Sequence, residues 1–300
     1  MSERDPVDVV VPFRGDRAAL EALRKRLAVL ALEATDTLTI VDNTPGRGAG
    51  ADGGVIRASA IATPAYARNR GAERGRAPWL LFVDSDVTPP ADLLDRYFDP
   101  LPGERTAVLA GGVRDARPRR GEGAVARYAY LSRAMSQDNT LEYGPRWGFA
   151  KTANAAFRRS AFEAVGGFRD SIRAGEDADL TYRLRAAGWQ LERREGAAVV
   201  HASRTTLAGL ARQWLGFGSG GAWLDRRYPG SFPARRLPGL AWWALRFAAT
   251  GLLAAARRGD RDAAHRAVLE PLEQLSYELG RSIPNERPLP RPSPWRIVAG

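Results

Sequence analysis

The chain has 300 residues, of which 44% are hydrophobic and 26% charged, so it is long enough for one large α/β domain or one domain with an appendage. It contains no cysteine, which excludes disulfides, zinc–thiolate sites and thiol nucleophiles. The formal net charge of +11 favours an anionic partner. The positive residues are almost all arginine and are scattered, without zinc-finger, helix-turn-helix or aromatic RNA-binding spacing, so we predict no nucleic-acid partner.

The first part of the chain predicts a βαβ unit. Residues 7–11 form a β-branched run that ends at Pro12, leucines recur at helical spacing over residues 20–30, and residues 37–41 form a second β-branched run. Such a unit implies two parallel strands. The glycine-rich loop at residues 46–54 neither follows the first strand nor contains Gly-Lys-Ser/Thr, so the dinucleotide fingerprint and the P-loop are both missing.

An apolar run at residues 80–83 leads directly into two carboxylates, Asp84 and Asp86. The run predicts a strand buried on both faces, and open α/β sheets bind ligands at the carboxyl ends of such strands. Two hard oxygen ligands suit Mg²⁺ or Mn²⁺, and that ion suits a diphosphate. Taken alone, the pair also fits a loop that caps the helix expected near Pro90.

The middle of the chain predicts further strands at residues 107–113 and 197–201, with a helix at 124–135 between them. A helix that begins near residue 176 carries three acids in its first turn, at Glu176, Asp177 and Asp179. A helix dipole favours acids there, so these carboxylates have a purely structural interpretation as well.

The character of the sequence changes beyond residue 205. An amphipathic helix is expected at residues 207–215, and residues 237–256 are almost wholly apolar but contain Arg246. A membrane span needs about twenty apolar residues, and a central arginine costs at least ~2.5 kcal/mol, so a buried or interfacial helix is favoured. We divide the chain into a domain at 1–205 and a mostly helical extension at 206–300, whose Pro- and Arg-rich end, from residue 284, predicts a tail.

Seven short motifs occur in a fixed order, and none of them is specific by itself. They lie at residues 9–12, 40–43, 67–71, 82–86, 154–158, 165–168 and 175–180. The ordered set resembles family 2 glycosyltransferases, which are inverting, nucleotide-sugar-dependent enzymes of the GT-A fold. The resemblance implies an α/β fold with a mixed, mostly parallel sheet flanked by helices, and it favours a functional role for Asp84 and Asp86.

The resemblance also implies a donor site and a metal site. The donor would be a nucleotide diphosphate sugar, with UDP the family's common choice, and Mn²⁺ or Mg²⁺ would be bound by Asp86 with Asp84 and His201. His201 has an alternative interpretation as a hydrogen-bonded structural residue, and Arg68 as a solvated helix residue. The residues implied to hold the nucleotide are Pro12, Phe13, Arg14, Asp42, Arg68, Asp84 and Ser85.

For the chemistry, the resemblance implies that Asp177 is the general base. A neighbouring carboxylate such as Glu176 raises the pKa of a carboxyl group, which would help it to act as a base. Glu176 or Asp179 would support the base or form hydrogen bonds with sugar or acceptor hydroxyls. Trp147 and Asn154 complete the implied donor-sugar and acceptor residues, and other aromatic residues such as Trp214 and Phe217 are either acceptor platforms or core. The Gln-x-x-Arg-Trp signature of processive synthases is missing, so we predict a single sugar transfer to a sugar, lipid-linked or small-molecule acceptor.

Two other functions remain as alternatives. A nucleotidyltransferase on a similar fold would carry a glycine-rich basic loop after the first strand, where this chain has residues 12–16, Pro-Phe-Arg-Gly-Asp. A non-catalytic protein would use the basic surface for nucleic acid or membrane. The polar amino terminus lacks the apolar core of a signal peptide, so we expect a cytoplasmic location, with peripheral membrane contact or a homodimer through residues 206–256.

Overall fold

A nine-stranded mixed sheet forms the centre of the computed structural model, which describes residues 4–48, 50–119 and 121–288. The strands are β1 (Val7–Phe13), β2 (Thr37–Asp42), β3 (Gly50–Asp52), β4 (Val55–Arg57), β5 (Trp79–Val83), β6 (Val87–Thr88), β7 (Thr106–Asp115), β8 (Asn154–Arg158) and β9 (Gln190–His201). Their spatial order is β3-β4-β2-β1-β5-β8-β7-β9-β6.

Helices cover the sheet on both faces and continue beyond it. They are α1 (Arg17–Leu27), α2 (Pro64–Ala72), α3 (Leu93–Tyr97), α4 (Ala124–Ser132), α5 (Asp138–Leu141), α6 (Gly144–Trp147), α7 (Arg159–Ala164), α8 (Glu176–Ala186), α9 (Leu207–Arg227), α10 (Leu237–Arg258) and α11 (Arg261–Gly280). The predicted α/β class is confirmed.

Strand direction decides which chain segments meet. β1 pairs in parallel with both β2 and β5, and β2 with β4, which confirms the predicted βαβ unit. β8 is antiparallel to both β5 and β7, and β7 is parallel to β9. Consequently β1, β5, β7 and β9 all run in one direction, and their carboxyl ends lie along one edge of the sheet.

Alternation along the strands produces two buried layers. Val9 and Leu81 face the side covered by α1, whereas Val10 and Phe82 face the side covered by α2 and α8. Successive residues along a strand point to opposite faces of the sheet. Because both faces of these strands are covered, consecutive positions are apolar, which explains the continuous apolar runs in the sequence.

Gly71 lets α2 approach the sheet closely. A Cβ at this position would lie 2.2 Å from Cγ1 of Val10, a buried side chain on β1. We expect Gly71→Ala to lower the free energy of unfolding by about 1–3 kcal/mol, because overpacking a rigid core contact outweighs the gain in helix propensity. Urea denaturation measures this; Gly239→Ala, at a helical site with open space around it, is the control and should be neutral or stabilising. Equal stability of Gly71→Ala would contradict the close packing.

The carboxyl-terminal helices differ from the prediction in length. α9 was expected to end at residue 215 but continues through the glycine-rich segment to Arg227. The glycines serve contact rather than a turn, since a Cβ on Gly218 would lie 1.8 Å from the carbonyl oxygen of Tyr277 on α11. Close backbone contact between α9 and α11 therefore keeps the glycines helical.

The predicted tail is wrong for its first residues. Asn285 is 2% exposed, accepts a hydrogen bond from the backbone NH of Ala174 and donates one to the carbonyl of the same residue, at 3.2 and 2.8 Å. Residues 289–300 lie outside the described part of the chain. The boundary near residue 205 coincides with the loop before α9 and stays a prediction.

Candidate active site

A cavity of about 820 Å³ lies where the carboxyl ends of the aligned strands meet the start of α8. Residues 12–14 reach it from the end of β1, residues 84–86 from the end of β5, and His201 from the end of β9. This is the edge at which the sequence predicted ligand binding. Ten of the predicted site residues line the cavity: Pro12, Phe13, Arg14, Arg68, Asp84, Ser85, Asp86, Glu176, Asp177 and His201.

Two predicted contact residues are fully buried away from the cavity lining. The Asn154 side chain accepts a hydrogen bond from the Tyr97 hydroxyl at 2.7 Å and donates to the carbonyls of Gly112 and Ala197, so it ties strands together. Asp179 is fully buried with Arg183 at 2.7 Å. These placements correct the expectation that Asn154 and Asp179 contact sugar or acceptor, because a buried side chain with its polar atoms paired has none left for a ligand.

Trp147 and Asp42 also lie outside the cavity lining. The Trp147 ring packs edge-on against Tyr182, with the ring centroids 5.3 Å apart. Asp42 is 1% exposed and forms an ion pair with Arg47 at 2.5 Å. Its neighbour Asn43 lines the cavity instead, so Asp42 is placed to hold the loop rather than to meet a ligand directly.

Asp86 and His201 face each other across the cavity wall. Oδ2 of Asp86 is 3.5 Å from Nε2 of His201 and 3.4 Å from a guanidinium nitrogen of Arg204. On the other side of the ring, Nδ1 of His201 is 3.3 Å from Oδ1 of Asp115. Burial by itself lowers the pKa of His201, but hydrogen bonds and charge from Asp115 and Asp86 outweigh it and raise the pKa to about 9.

The donor set fits a metal bound together with a diphosphate. Within the described residues, no group of three His, Cys, Asp or Glu side chains converges on one point, so the predicted set of Asp84, Asp86 and His201 is not assembled as three protein ligands, and Asp84 is paired with Arg68 instead. Mg²⁺ and Mn²⁺ are commonly held by one or two protein carboxylates together with phosphate oxygens, so Asp86 fits that use. His201 places an imidazole nitrogen 3.5 Å from the same carboxylate. Asp115 matches the carboxylate that fixes the orientation of a metal-binding histidine. In the alternative, in which His201 is only a structural residue, its Nε2 would contact Asp86 and bind no metal.

Arg68 links Asp84, which follows β5, to Glu176 at the start of α8. Its guanidinium is buried and bridges Asp84 at 2.7 Å and Glu176 at 2.5 Å. Its Nε, also buried, has no hydrogen-bond partner among the described residues. The alternative of a solvated helix arginine is therefore wrong, and one Oδ atom of Asp84 is held by this bridge.

Asp177 has the properties expected of a base. Its burial and the adjacent charge of Glu176 raise its pKa to about 7, although the Ala178 backbone NH, Arg68 and Lys151 pull in the other direction. Lys151 also lines the cavity, and its Nζ donates to the Ser136 carbonyl at 2.7 Å. Burial lowers the pKa of Lys151 to about 8. A carboxylate with a pKa near neutrality is suited to accept a proton at physiological pH.

Sequence reasoning missed several residues of the cavity and its support. A signal existed for Asp115, which ends β7 as Asp84 follows β5, and for Lys151, one of only two lysines. The aromatic residues at the far end of the cavity gave no distinguishing pattern, because core and platform aromatics look alike in sequence. The missed aromatic residues that line the cavity are Tyr143, Phe149, Phe232 and Tyr277. Trp214 and Phe217, which the sequence left as either acceptor platforms or core, line it as well.

A sequence profile of the family described as "Glycosyltransferase like family 2" matches residues 33–215, more than half of the chain. The chain belongs to this family. The predicted resemblance is thereby confirmed.

Curated relatives carry glycosyltransferase names. A pre-mycofactocin glycosyltransferase of Mycobacterium tuberculosis (strain H37Rv) is 31% identical over 268 residues, which cover 84% of this chain and 54% of the relative. The glycosyltransferase AglE of Haloferax volcanii is 28% identical over 181 residues, or 60% of this chain and 56% of the relative. The chain thus spans about half the length of the curated relatives it matches.

Among solved structures, the mannosyltransferase PcManGT from Pyrobaculum calidifontis, in complex with GDP-Man and Mn²⁺, matches with a TM-score of 0.56 and 17% sequence identity. The match covers 91% of this chain and 88% of that one. At this identity the likeness shows the fold, which is the predicted GT-A fold.

Proposed function

We propose that this protein transfers a single sugar from a nucleotide diphosphate donor to an acceptor hydroxyl, with inversion at the anomeric carbon. One observation carries the proposal: Asp84, Asp86 and His201 share a single cavity with Asp177, a carboxylate whose pKa is raised to about 7. Because the chain belongs to the glycosyltransferase family, we assign the first three residues to the donor diphosphate and Asp177 to the acceptor proton.

The nucleotide would occupy the end of the cavity lined by residues 12–14 and Asn43, with Arg68 and Ser85 close to the diphosphate. Asp42 would act indirectly, through its ion pair with Arg47 and the loop that this pair holds. A UDP-sugar is the first donor to test because it is the family's common choice. GDP-sugars are the second, since the similar mannosyltransferase was solved with GDP-Man.

Asp86 and His201 would bind Mn²⁺ or Mg²⁺, with Asp84 on the same edge. When bound, such an ion stabilises the negative charge that develops on the departing diphosphate. Asp115 would hold the His201 ring in place through its contact with Nδ1, and Arg204 adds positive charge beside Asp86. The use of Mn²⁺ agrees with the ion reported with the similar mannosyltransferase.

Asp177 would act as the general base. The acceptor oxygen attacks the anomeric carbon from the face opposite the diphosphate, the bond from that carbon to the diphosphate oxygen breaks, and the acceptor proton passes to the Asp177 carboxylate. Glu176, held by Arg68, keeps a second negative charge beside the base and raises its pKa. Attack from the opposite face inverts the anomeric centre.

The acceptor would enter at the aromatic end of the cavity. Trp214 and Phe217 lie on α9 with ring centroids 5.6 Å apart, and Tyr143 and Phe232 form a second edge-to-face pair at 5.8 Å. Aromatic faces bind sugar rings and other apolar surfaces. This lining favours an acceptor that presents an apolar face beside its hydroxyl, whether a sugar, a lipid-linked sugar or a small molecule.

Thermal-shift titration with nucleotide sugars tests the donor proposal. We expect a matching donor with Mn²⁺ to raise Tm by several degrees, because a ligand at a hundred times its Kd stabilises the folded state by about 2.7 kcal/mol. The same donor with EDTA is the control and should give a smaller shift. Absence of any shift across UDP- and GDP-sugars, or pyrophosphate release from a nucleoside triphosphate and a sugar phosphate, would count against glycosyl transfer.

A further inference from the structure

One side of α10 presents a continuous apolar surface. Trp242, Leu245 and Leu253 are 61%, 65% and 54% exposed, although each is a large hydrophobic side chain. They belong to a set of exposed residues that recur at helical spacing and so share one face of the helix. We call this set the α10 stripe: Pro238, Ala241, Trp242, Leu245, Ala249, Leu252, Leu253 and Ala256.

The opposite side of α10 is already used in packing. Leu240, Ala244 and Ala255 are buried, and a Cβ on Gly251 would lie 2.7 Å from Cβ of Ala267 on α11. The helix therefore has one packed side and one apolar side that no described residue covers. An apolar surface of this kind on a folded protein marks an interaction site.

The charged residues of α10 and of the segment just before it are all positive. Residues 226–259 contain seven arginines and no aspartate or glutamate. Arg246 and Arg257, both exposed, lie along one edge of the stripe in the helical repeat, and neither forms an ion pair with a described residue. The nearest acids on α11 are engaged elsewhere, since Asp262 pairs with Arg127 and Glu270 with Arg266.

We propose that the α10 stripe inserts into the surface of an anionic bilayer, so that the protein is held at a membrane surface. Apolar side chains bordered by arginine are the composition of helices that lie in the plane of the interface. Anionic headgroups complement the arginines and add to the binding of the apolar face. This inference does not depend on the identity of the donor or acceptor.

Two other arrangements fit the surface less well. In a twofold dimer the same patch meets itself, so the unpaired arginines of both copies would approach one another. A transmembrane span is compatible with α10, which has 22 residues and contains an 18-residue window of mean hydropathy 1.3, and it is the one helix in the described part of the chain to meet those criteria. However, α10 packs along α11 and carries Arg246 near its middle, which favours a helix that lies along the surface.

Vesicle co-sedimentation of the full chain tests the proposal. We expect binding to vesicles of phosphatidylcholine with phosphatidylglycerol, weaker binding to phosphatidylcholine alone, and a decrease with added salt. The double variant Leu245→Glu/Leu253→Glu should bind anionic vesicles at least about tenfold more weakly, because it removes apolar contact and adds negative charge. Leu101→Glu is the matched control, since Leu101 is 66% exposed and lies outside the stripe.

Several outcomes would overturn the proposal. One is that the wild-type chain stays in the supernatant when it is mixed with anionic vesicles. Another is that Leu101→Glu weakens vesicle binding as strongly as the stripe variant does. Light scattering that showed a dimer disrupted by Leu245→Glu would assign the stripe to a second copy instead. Circular dichroism with unchanged Tm in the glutamate variants separates loss of binding from loss of fold.

Discussion

Replacing Asp177 with asparagine is expected to reduce kcat by about 10²–10⁴-fold, because the acceptor hydroxyl then loses its proton acceptor in the transition state. Donor binding should stay near the wild-type level, since the change removes no contact at the diphosphate edge. The measurements are kcat with saturating donor and the donor Kd from thermal shift. Glu21→Gln, an exposed carboxylate on α1, is the control and should leave both values unchanged.

The pH profile gives this prediction a second readout. The base must be ionised, and the pKa of Asp177 is raised to about 7 by burial and by Glu176. The rate should therefore fall about tenfold per pH unit below 7 and reach a plateau above it. The residual rate of Asp177→Asn should lack that descending limb. Near-wild-type activity in the variant, or an unchanged acidic limb, would remove Asp177 from the role of base.

Replacing Asp86 with alanine is expected to abolish the Mn²⁺-dependent part of the donor thermal shift and to lower kcat/KM by about 10²–10⁴-fold. The variant removes the carboxylate that faces His201 at 3.5 Å, and a bound divalent ion contributes several kcal/mol to stabilising a leaving diphosphate. Nucleotide binding that does not need metal should persist, because residues 12–14 are unchanged. Thermal shift with and without Mn²⁺ and a coupled transfer assay measure the two effects.

Asp115→Asn provides a graded comparison for that prediction. Asp115 contacts His201 through Nδ1 and does not line the cavity, so its loss should weaken metal affinity by about 10–100-fold without eliminating metal dependence. Both variants need an unchanged far-ultraviolet circular dichroism spectrum. If Asp86→Ala kept full Mn²⁺-dependent transfer, the metal would have to be bound elsewhere.

The sequence predicted those features that depend on local pattern and strand direction. The apolar run before Asp84 required a strand, and parallel strands bring their carboxyl ends together, so Asp84 and Asp86 could be placed beside the end of β1. The raised pKa of Asp177 comes first from burial, which depends on the fold, and second from the charge of Glu176, and only this second contribution followed from adjacency in the sequence.

Features set by tertiary contact could not be predicted in the same way. Asn154 and Asp179 carry the polar groups of ligand-binding residues, but Tyr97 and Arg183 occupy those groups in the folded chain. The glycines of α9 indicate a turn by propensity, yet contact with α11 keeps them helical. Sequence spacing contains no information on which distant side chain will claim a polar group or fill the space beside a glycine.

The contact of α9 and the following helices with the loop before α8 bears on protein engineering. Asn285 holds Ala174 by two hydrogen bonds, and Leu224 of α9 packs in the same cluster as Ala178 of α8. A fragment truncated at residue 205 would lose the part of the cavity lining that α9 provides. It would also lose the packing of Leu224 beside α8, the helix that carries Asp177. Chimeras that exchange acceptor-side helices between relatives should therefore move α9 to residue 285 as one block, together with the loop surface at Ala174 that receives it.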